Sequence, residues 1–201
     1  RIRSRGLGDV YKRQAMGIGG NNYYKNCYVD LKESCLRSET TVKVFDQMRK
    51  LQSYTDEGSP GRDWNVATGM VIEGKAGFQI MGDWAKGEFT AAGKVPGVDY
   101  YCAPTPSNNG YLYNVDSFIF YKTSDPEKQE GQKLLAKLMM GKNFQKVFNL
   151  YKGSIPARLD VPMDEFDKCA KTSNSDIKTA GASGGLVPSF AHGMAQGNTM
   201  K

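Results

Sequence analysis

Residues 111–151, YLYNVDSFIFYKTSDPEKQEGQKLLAKLMMGKNFQKVFNLY, contain the two patterns that decide the fold of this chain. The first pattern covers residues 111–122, where aromatic and β-branched side chains alternate with polar ones. This alternation predicts a strand pair, or one long strand bent around Asp116.

The second pattern is a strong helix start directly after that strand. Ser124 or Asp125 is placed to cap the helix, and Pro126 lies in its first turn. Gly141 is expected to separate this helix from another one. A strand followed by helices is typical of an α/β fold.

The residues before this stretch continue the same mixture. Residues 41–54 place apolar side chains at helical intervals and predict an amphipathic helix. Another helix is expected to start at Trp64 and to stop at Gly74. Residues 75–84, KAGFQIMGDW, form a short apolar run that predicts a buried strand ending in a turn, which presents Trp84.

The connecting segments are rich in turn-forming residues. Residues 93–110 contain Pro, Gly and Asn and predict the place where the chain changes lobes. Residues 152–158 predict a loop and residues 160–173 a short helix. Residues 179–197 predict a loop with a helix at its end.

The positive charge is concentrated at the start of the chain. The formal net charge is +6, but residues 1–14 hold five of the Lys and Arg residues and one acid. Without them the balance is 22 basic against 20 acidic residues, which does not favour nucleic-acid binding. Residues 1–14 lack the apolar core of a signal peptide and are interpreted as an unrelated, adapter-like leader.

The composition does not favour metal or nucleophilic chemistry. The four cysteines lack the close pairwise spacing of a zinc or redox site, and His192 is the only histidine. Buried thiols and a disulfide both fit these cysteines. No serine lies in a G-x-S-x-G elbow, so a hydrolase triad is not indicated. No cofactor or metal is expected.

Paired carboxylates leave a glycoside hydrolase open, because any two of the 21 acidic residues could meet in space. Asp63, Asp83 and Asp116 each lie near aromatic residues. For Asp63 and Asp83, a surface or capping role is the favoured interpretation.

Polar residues next to aromatic ones occur at several segment ends, which indicates a sugar site. A pyranose has an apolar face that stacks on a flat ring, and a rim of hydroxyl groups that hydrogen-bond to ionic side chains. Residues of these types are Trp84, Asp116, Lys152 and His192. Each also fits an ordinary structural role, so spacing alone does not decide the matter.

Several segments resemble the C-terminal half of glucose-binding periplasmic proteins, which are family 1 extracellular solute-binding proteins. They are GRDWNVATGMVIEGKAGFQIMGDWAKGEF, NVDSF, FQKVFNLYKGSIPARLDV and LVPSFAHGMA, in the expected order. The resemblance extends from about residue 23 onward. It implies a periplasmic binding protein fold of type II, with two α/β lobes joined by crossover strands and a sugar bound between them.

The resemblance also implies roles for individual residues. Trp84 would stack on the sugar, Asp116 and Lys152 would bind its hydroxyl groups, and His192 would add a hydrogen bond. Behind these residues, supporting roles are implied for Trp64, Glu88 and Asn114, with packing favoured for Trp64. Cys102 and Cys169, both in family-like segments, are expected to form a disulfide.

The resemblance further implies an organisation for the chain. Residues 15–95 would belong to the C-terminal lobe, residues 96–147 to the crossover and the N-terminal lobe, and residues 148–201 to the C-terminal lobe again. Family members are considerably longer, so we expect a fragment truncated at both ends. The implied function is capture of glucose or a similar monosaccharide in the periplasm and delivery to an ABC transporter permease. A disaccharide-binding protein of the same fold is the alternative.

Overall fold

The computed structural model describes residues 5–107 and 110–189. In chain order the helices are α1 (Arg5–Tyr24), α2 (Glu33–Leu36), α3 (Glu39–Gln52), α4 (Trp64–Ile72), α5 (Lys86–Ala91), α6 (Pro126–Met139), α7 (Lys142–Lys152) and α8 (Lys168–Ala182). A π-helical segment, Lys25–Val29, and a 3-10 turn, Asp83–Ala85, supplement them. The strands are β1 (Tyr111–Tyr113) and β2 (Leu186–Pro188).

The two helices predicted within residues 124–151 are confirmed as α6 and α7. Asp125 caps α6 by accepting hydrogen bonds from two backbone N–H groups of the first turn, and Pro126 is the first helical residue. Gly141 separates the helices, and Gly153 ends α7 with a φ of 86°. Glycine adopts this left-handed conformation without the steric cost of a side chain, so the chain turns sharply after α7.

The helices predicted at residues 41–54 and after Trp64 are confirmed as α3 and α4. In α3 the buried Val44 points into the core, while charged residues of the opposite face lie in solvent. Helix α4 ends at Ile72, just before Gly74, whose φ is 72°. Periodicity and glycine punctuation are therefore sufficient signals for these helices.

The predicted strand at residues 75–84 is wrong. Residues 79–82 have no regular structure, and Phe78 is 96% exposed. The strand expected over residues 111–122 is reduced to β1, which pairs in parallel with β2 and places Leu112 opposite Val187. A strand needs a neighbouring strand for its backbone hydrogen bonds, and the described ranges contain only this one pair.

The helix expected over residues 160–173 forms later and runs further than predicted, as α8 over Lys168–Ala182. Asp167 caps it by accepting a hydrogen bond from the Ala170 N–H over 2.8 Å. The same helix takes in the first residues of the loop predicted over 179–197.

The buried apolar side chains form two separate clusters. The larger one packs α1 and the π-helical segment against α3 and β2, with Met16, Tyr24 and Val44 almost completely buried. The smaller cluster lies under the end of α7 and the start of α8, around Val161 and Phe166. This second cluster supports the loop that follows α7.

The chain is thus a mixed helix and strand structure, as expected for part of an α/β protein. The division into lobes at residues 95 and 147 stays a prediction. Helix α1 begins inside the predicted leader, and the Arg13 guanidinium donates hydrogen bonds to Thr105 Oγ1 over 3.0 Å and to the Met81 carbonyl over 2.9 Å. The leader boundary at residue 14 also stays a prediction. Among the helices of the described ranges, none combines the length and hydrophobicity of a membrane span.

The four cysteines are paired in two disulfides. Cys102 is bonded to Cys169 with Cα atoms 5.8 Å apart, which is the pairing expected from the family resemblance. This bond fastens the segment after α5 to the first turn of α8. Cys27 is bonded to Cys35 with Cα atoms 5.2 Å apart, inside the larger core cluster.

Candidate functional site

The centre of the candidate site is an ion pair between two of the predicted sugar-binding residues. Lys152 Nζ donates a hydrogen bond to Asp116 Oδ2 over 2.6 Å. The Lys152 side chain is 27% exposed and the Asp116 side chain is 66% exposed. An ion pair this open to solvent stabilises a fold by only about 0–1 kcal/mol. The pair therefore adds little to stability, and its groups stay accessible from solvent.

Asp116 is held at the edge of the small sheet. Residues 114–116 directly follow β1, and Ser189 directly follows β2, so both segments leave the sheet at the same edge. Ser189 Oγ donates a hydrogen bond to Asn114 Oδ1 over 2.9 Å, and Asn114 Nδ2 lies 3.4 Å from Asp116 Oδ1. The structure therefore puts Asn114 between the sheet and Asp116.

Lys152 is the last residue of α7, and the aromatic ring of Phe148 lies beside its side chain. Its Nζ atom lies 5.7 Å from the centre of the Phe148 ring, within cation–π range. The Gly153 conformation then turns the chain away, so the Lys152 side chain stands at the helix end. The negative end of the helix dipole favours a cation there.

Trp84 lies in the 3-10 turn Asp83–Ala85 and is half-buried. Its ring packs directly on Gly82, where any side chain would occupy the same space. The absence of a Cβ at this position leaves room for the ring.

Close backbone packing joins the start of α5, directly after the Trp84 turn, to the end of α7. A Cβ added to Gly87 would lie 2.9 Å from the Lys152 carbonyl oxygen, and one added to Gly153 would lie 2.5 Å from the Gly87 nitrogen. Only glycine allows this approach of the two backbones. As a result, Trp84 and Lys152 occupy neighbouring elements, although they are far apart in sequence.

Asp83 is a half-buried acidic group beside this site, which differs from the surface or capping role favoured from the sequence. Its Oδ2 accepts a hydrogen bond from the Ile155 N–H over 3.2 Å. Burial raises the pKa of the Asp83 carboxyl, while hydrogen bonds from Ile155 and Ser154 and the charges of Lys86 and Lys152 act in the opposite direction. Local sequence gave no sign of this burial, because the loop that covers Asp83 is distant in the chain.

A second missed feature is an ion pair that fixes α5 against α8. Lys86 Nζ donates a hydrogen bond to Asp167 Oδ2 over 2.6 Å, and the Lys86 side chain is only 7% exposed. Asp167 is also the capping residue of α8. One carboxylate therefore positions the start of α8 and the helix that follows Trp84.

The remaining predicted site residues have no recorded contact with the ion pair, or lie outside the described ranges. Trp64 is half-buried at the start of α4, and its carbonyl accepts hydrogen bonds from the side chains of Thr68 and Gln79. Glu88 is exposed on α5. His192 lies outside the described residues. The sugar-binding and supporting roles of all these residues stay predictions.

A metal centre does not occur in the part of the chain that the structure describes, where no three His, Cys, Asp or Glu side chains are grouped to hold an ion. The residues that are brought together are instead the Asp116 carboxylate and the Lys152 ammonium group, and the turn that carries Trp84 lies in an element next to the end of α7. Such a set can stack on an apolar ligand face and hydrogen-bond to neutral hydroxyl groups.

Comparison with known proteins gives the family context of this site. The family model for bacterial extracellular solute-binding proteins matches residues 11–176. It is the model for family 8, whereas the sequence resemblance was assigned to family 1. The match covers the Trp84 turn, β1, Asp116 and the whole of α7.

Individual relatives carry names of the same kind. A probable sugar-binding periplasmic protein of Brucella suis is 46% identical over 183 residues, which is 90% of this chain and 43% of the relative. An uncharacterized ABC transporter extracellular-binding protein of Pyrococcus horikoshii is 31% identical, over 92% of this chain and 41% of the relative. A xylose/arabinose-binding protein of Haloferax volcanii is 28% identical, over 77% of this chain and 33% of the relative.

These comparisons bear on one of the predictions from sequence. The matched family and the relatives are binding proteins, so the prediction of a binding protein rather than an enzyme is confirmed. The chain spans less than half the length of the curated relatives it matches.

Proposed function

Because the chain belongs to the bacterial extracellular solute-binding proteins, we propose that it is the C-terminal part of the sugar-binding subunit of an ABC importer. The observation that carries this proposal is the solvent-facing pair of Asp116 and Lys152, held beside the Trp84 turn. The proposed ligand is glucose or a similar monosaccharide. In this account the protein captures the sugar and performs no chemistry on it.

The proposed role of each site residue follows from the chemistry of a pyranose. The Trp84 ring stacks on the face of C–H bonds, which is apolar. The Asp116 carboxylate accepts hydrogen bonds from sugar hydroxyl groups, and the Lys152 ammonium donates to their oxygens. The ion pair presets both groups before the sugar arrives, which lowers the entropy lost on binding.

The other wall of the cleft is proposed to come from a longer protein that contains this chain. The curated relatives are more than twice as long as the matched region. Large apolar side chains are also exposed on the segments that carry Asp116 and Lys152, including Ile119 at 79% and Tyr151 at 81%. A surface of this kind is typical of an interface. Two lobes joined by crossover strands would cover it and enclose the sugar.

Export to the periplasm and delivery to a membrane permease are part of the same proposal. The Brucella relative is named as periplasmic, and the Pyrococcus relative as an ABC transporter component. The two disulfides of the chain are typical of an oxidising compartment.

A pentose is the second candidate ligand. The Haloferax relative is named as a xylose/arabinose-binding protein. A pyranose form of either pentose would offer the same apolar face and the same rim of hydroxyl groups to Trp84, Asp116 and Lys152. The disaccharide alternative has no comparable observation in its favour.

Calorimetry on the full-length protein tests this function with glucose, xylose, arabinose and maltose, and product analysis runs on the same samples. We expect saturable heat with one of the monosaccharides and unchanged sugar afterwards. Preferential binding of maltose would support the disaccharide alternative. Heat with none of the sugars would contradict the proposal, and so would their conversion to a product.

A further inference from the structure

We propose that Asp83 is a positioning residue of the sugar site. It ties the turn that carries Trp84 to the loop that follows Lys152, and so sets the distance between the stacking ring and the ammonium group. This inference rests on the proposed function, because it concerns how the same site is assembled.

Asp83 is connected directly to the Trp84 turn and to the loop that follows Lys152. Asp83 immediately precedes Trp84, and its Oδ2 accepts the Ile155 N–H over 3.2 Å. The buried Ser154 side chain donates a further hydrogen bond to the same carboxyl. Because Ser154 and Ile155 lie within three residues of Lys152, movement of this loop would move the end of α7 with it.

The neighbouring charges do not use Asp83 as an ion-pair partner in the structure. Lys86 is bonded to Asp167 over 2.6 Å, and Lys152 is bonded to Asp116 over 2.6 Å. Both lysines still act on Asp83 through space. Burial raises the pKa of the Tyr111 hydroxyl, and the nearby Asp83 charge acts in the same direction. Hydrogen bonding to the loop is therefore the principal role of the carboxyl.

The fold favours the protonated form of the Asp83 carboxyl over the ionised form. Since burial raises its pKa, the native state binds the proton more tightly than the unfolded chain does. Its contribution to stability is complete below the ordinary Asp pKa and is lost as the pH rises through the native pKa. The ionised form is thus less favourable here than in the unfolded chain, and the geometric role of the carboxyl at the site accounts for its placement.

The chain supplies a matched control in Asp63, which also directly precedes a tryptophan. Asp63 is exposed and caps α4 without a side-chain hydrogen bond. The same dipeptide, Asp-Trp, therefore occurs once with a half-buried, hydrogen-bonded carboxyl and once with an exposed one.

The test is glucose calorimetry on the full-length protein with Asp83→Ala, Asp83→Asn and Asp63→Ala. Asp83→Ala removes the acceptor, so we expect Kd to rise about fivefold, the equivalent of one net hydrogen bond. Asp83→Asn retains an oxygen that accepts from the Ile155 N–H, and we expect Kd within about twofold of wild type. Asp63→Ala should bind as wild type does. If Asp83 had a merely structural role, Asp83→Ala would lower the free energy of unfolding, and Asp83→Asn would not restore the sugar affinity.

A readout without sugar separates this inference from the proposed function. In a Trp64→Phe background, Trp84 is the only tryptophan, and its fluorescence reports on the turn. We expect the emission to change with pH as Asp83 titrates above the ordinary Asp range, and the change to vanish in Asp83→Asn.

Glucose affinity unchanged in Asp83→Ala, or weakened equally in Asp83→Asn, would overturn the inference. Failure of the wild type to bind any sugar would overturn the proposed function, while the fluorescence titration would still decide whether Asp83 is tied to the Trp84 turn. If Asp83→Ala does not fold, Asp83→Asn and the titration decide the question.

Discussion

The disulfide between Cys102 and Cys169 allows a prediction of stability with a definite magnitude. The two cysteines are separated by 67 residues, so the bond closes a long loop in the unfolded chain. In the chain-entropy model, a loop of this length corresponds to about 4 kcal/mol of stabilisation at 25 °C. We expect the double variant Cys102→Ala/Cys169→Ala to lose most of that free energy of unfolding. Little packing is lost with it, because Cys102 is exposed and Cys169 only half-buried.

The assay is urea unfolding followed by circular dichroism, with oxidised wild type and the double variant compared at one temperature. Removal of a cross-link lets the unfolded chain expand, so the dependence of the free energy on urea should steepen together with the loss of stability. The Cys27→Ala/Cys35→Ala variant opens a loop of only 8 residues, for which the same model gives about 2.5 kcal/mol. That variant also removes buried sulfur from the core cluster. A loss below about 1 kcal/mol for Cys102→Ala/Cys169→Ala, with an unchanged slope, would refute the entropic reasoning.

Two further predictions concern charge and pH. Removing residues 1–14 should abolish salt-dependent binding of duplex DNA in a fluorescence anisotropy titration, because the rest of the chain is close to neutral; tight binding that weakens with salt after removal would contradict this. Burial, with a smaller effect of Asp167, raises the pKa of Tyr100 to about 12, so the native state holds this proton more tightly than the unfolded chain. The corresponding stability is present below the ordinary tyrosine pKa and lost as the pH rises toward 12, and ultraviolet titration should lose this late step in Tyr100→Phe.

The helices could be predicted from the sequence because their signals are local. The cap at Asp125, the proline after it and the glycines at 141 and 153 all lie within or next to the helices that they delimit. The same holds for α3, whose apolar positions recur at the helical period. Helix α8 was predicted too short, since much of its length, TSNSDIKTAGA, is polar or small and has no clear apolar stripe.

The strands could not be predicted with the same success because a strand depends on its neighbour. The apolar run around Phe78 has the composition of a buried strand, yet no strand lies beside it in the described ranges. Only the three residues of β1 that lie beside β2 form a ladder. The sequence pattern therefore indicates the capacity to form a strand, and tertiary contacts decide its extent.

For the candidate site, the residue types were accessible from sequence and their arrangement was not. Asp116 and Lys152 were predicted separately, and the structure brings them into contact across 36 positions of sequence. Asp83 and Lys86 gave no local signal, because the loop and helix that bury them come much later in the chain. Their burial follows from packing that no spacing rule within the segment describes.

The most direct test of the central claim is the affinity of Asp116→Ala for the sugar that the wild type binds, measured by calorimetry on the full-length protein. Loss of hydrogen bonds to a charged group typically costs about 1.5–3 kcal/mol, so we predict at least about a tenfold rise in Kd. Trp84→Ala should weaken binding comparably, Lys152→Met should weaken it without abolishing it, and Asp83→Ala, at about fivefold, should have a smaller effect than Asp116→Ala. Equal affinities for Asp116→Ala and wild type, with the fold intact by circular dichroism, would contradict the account.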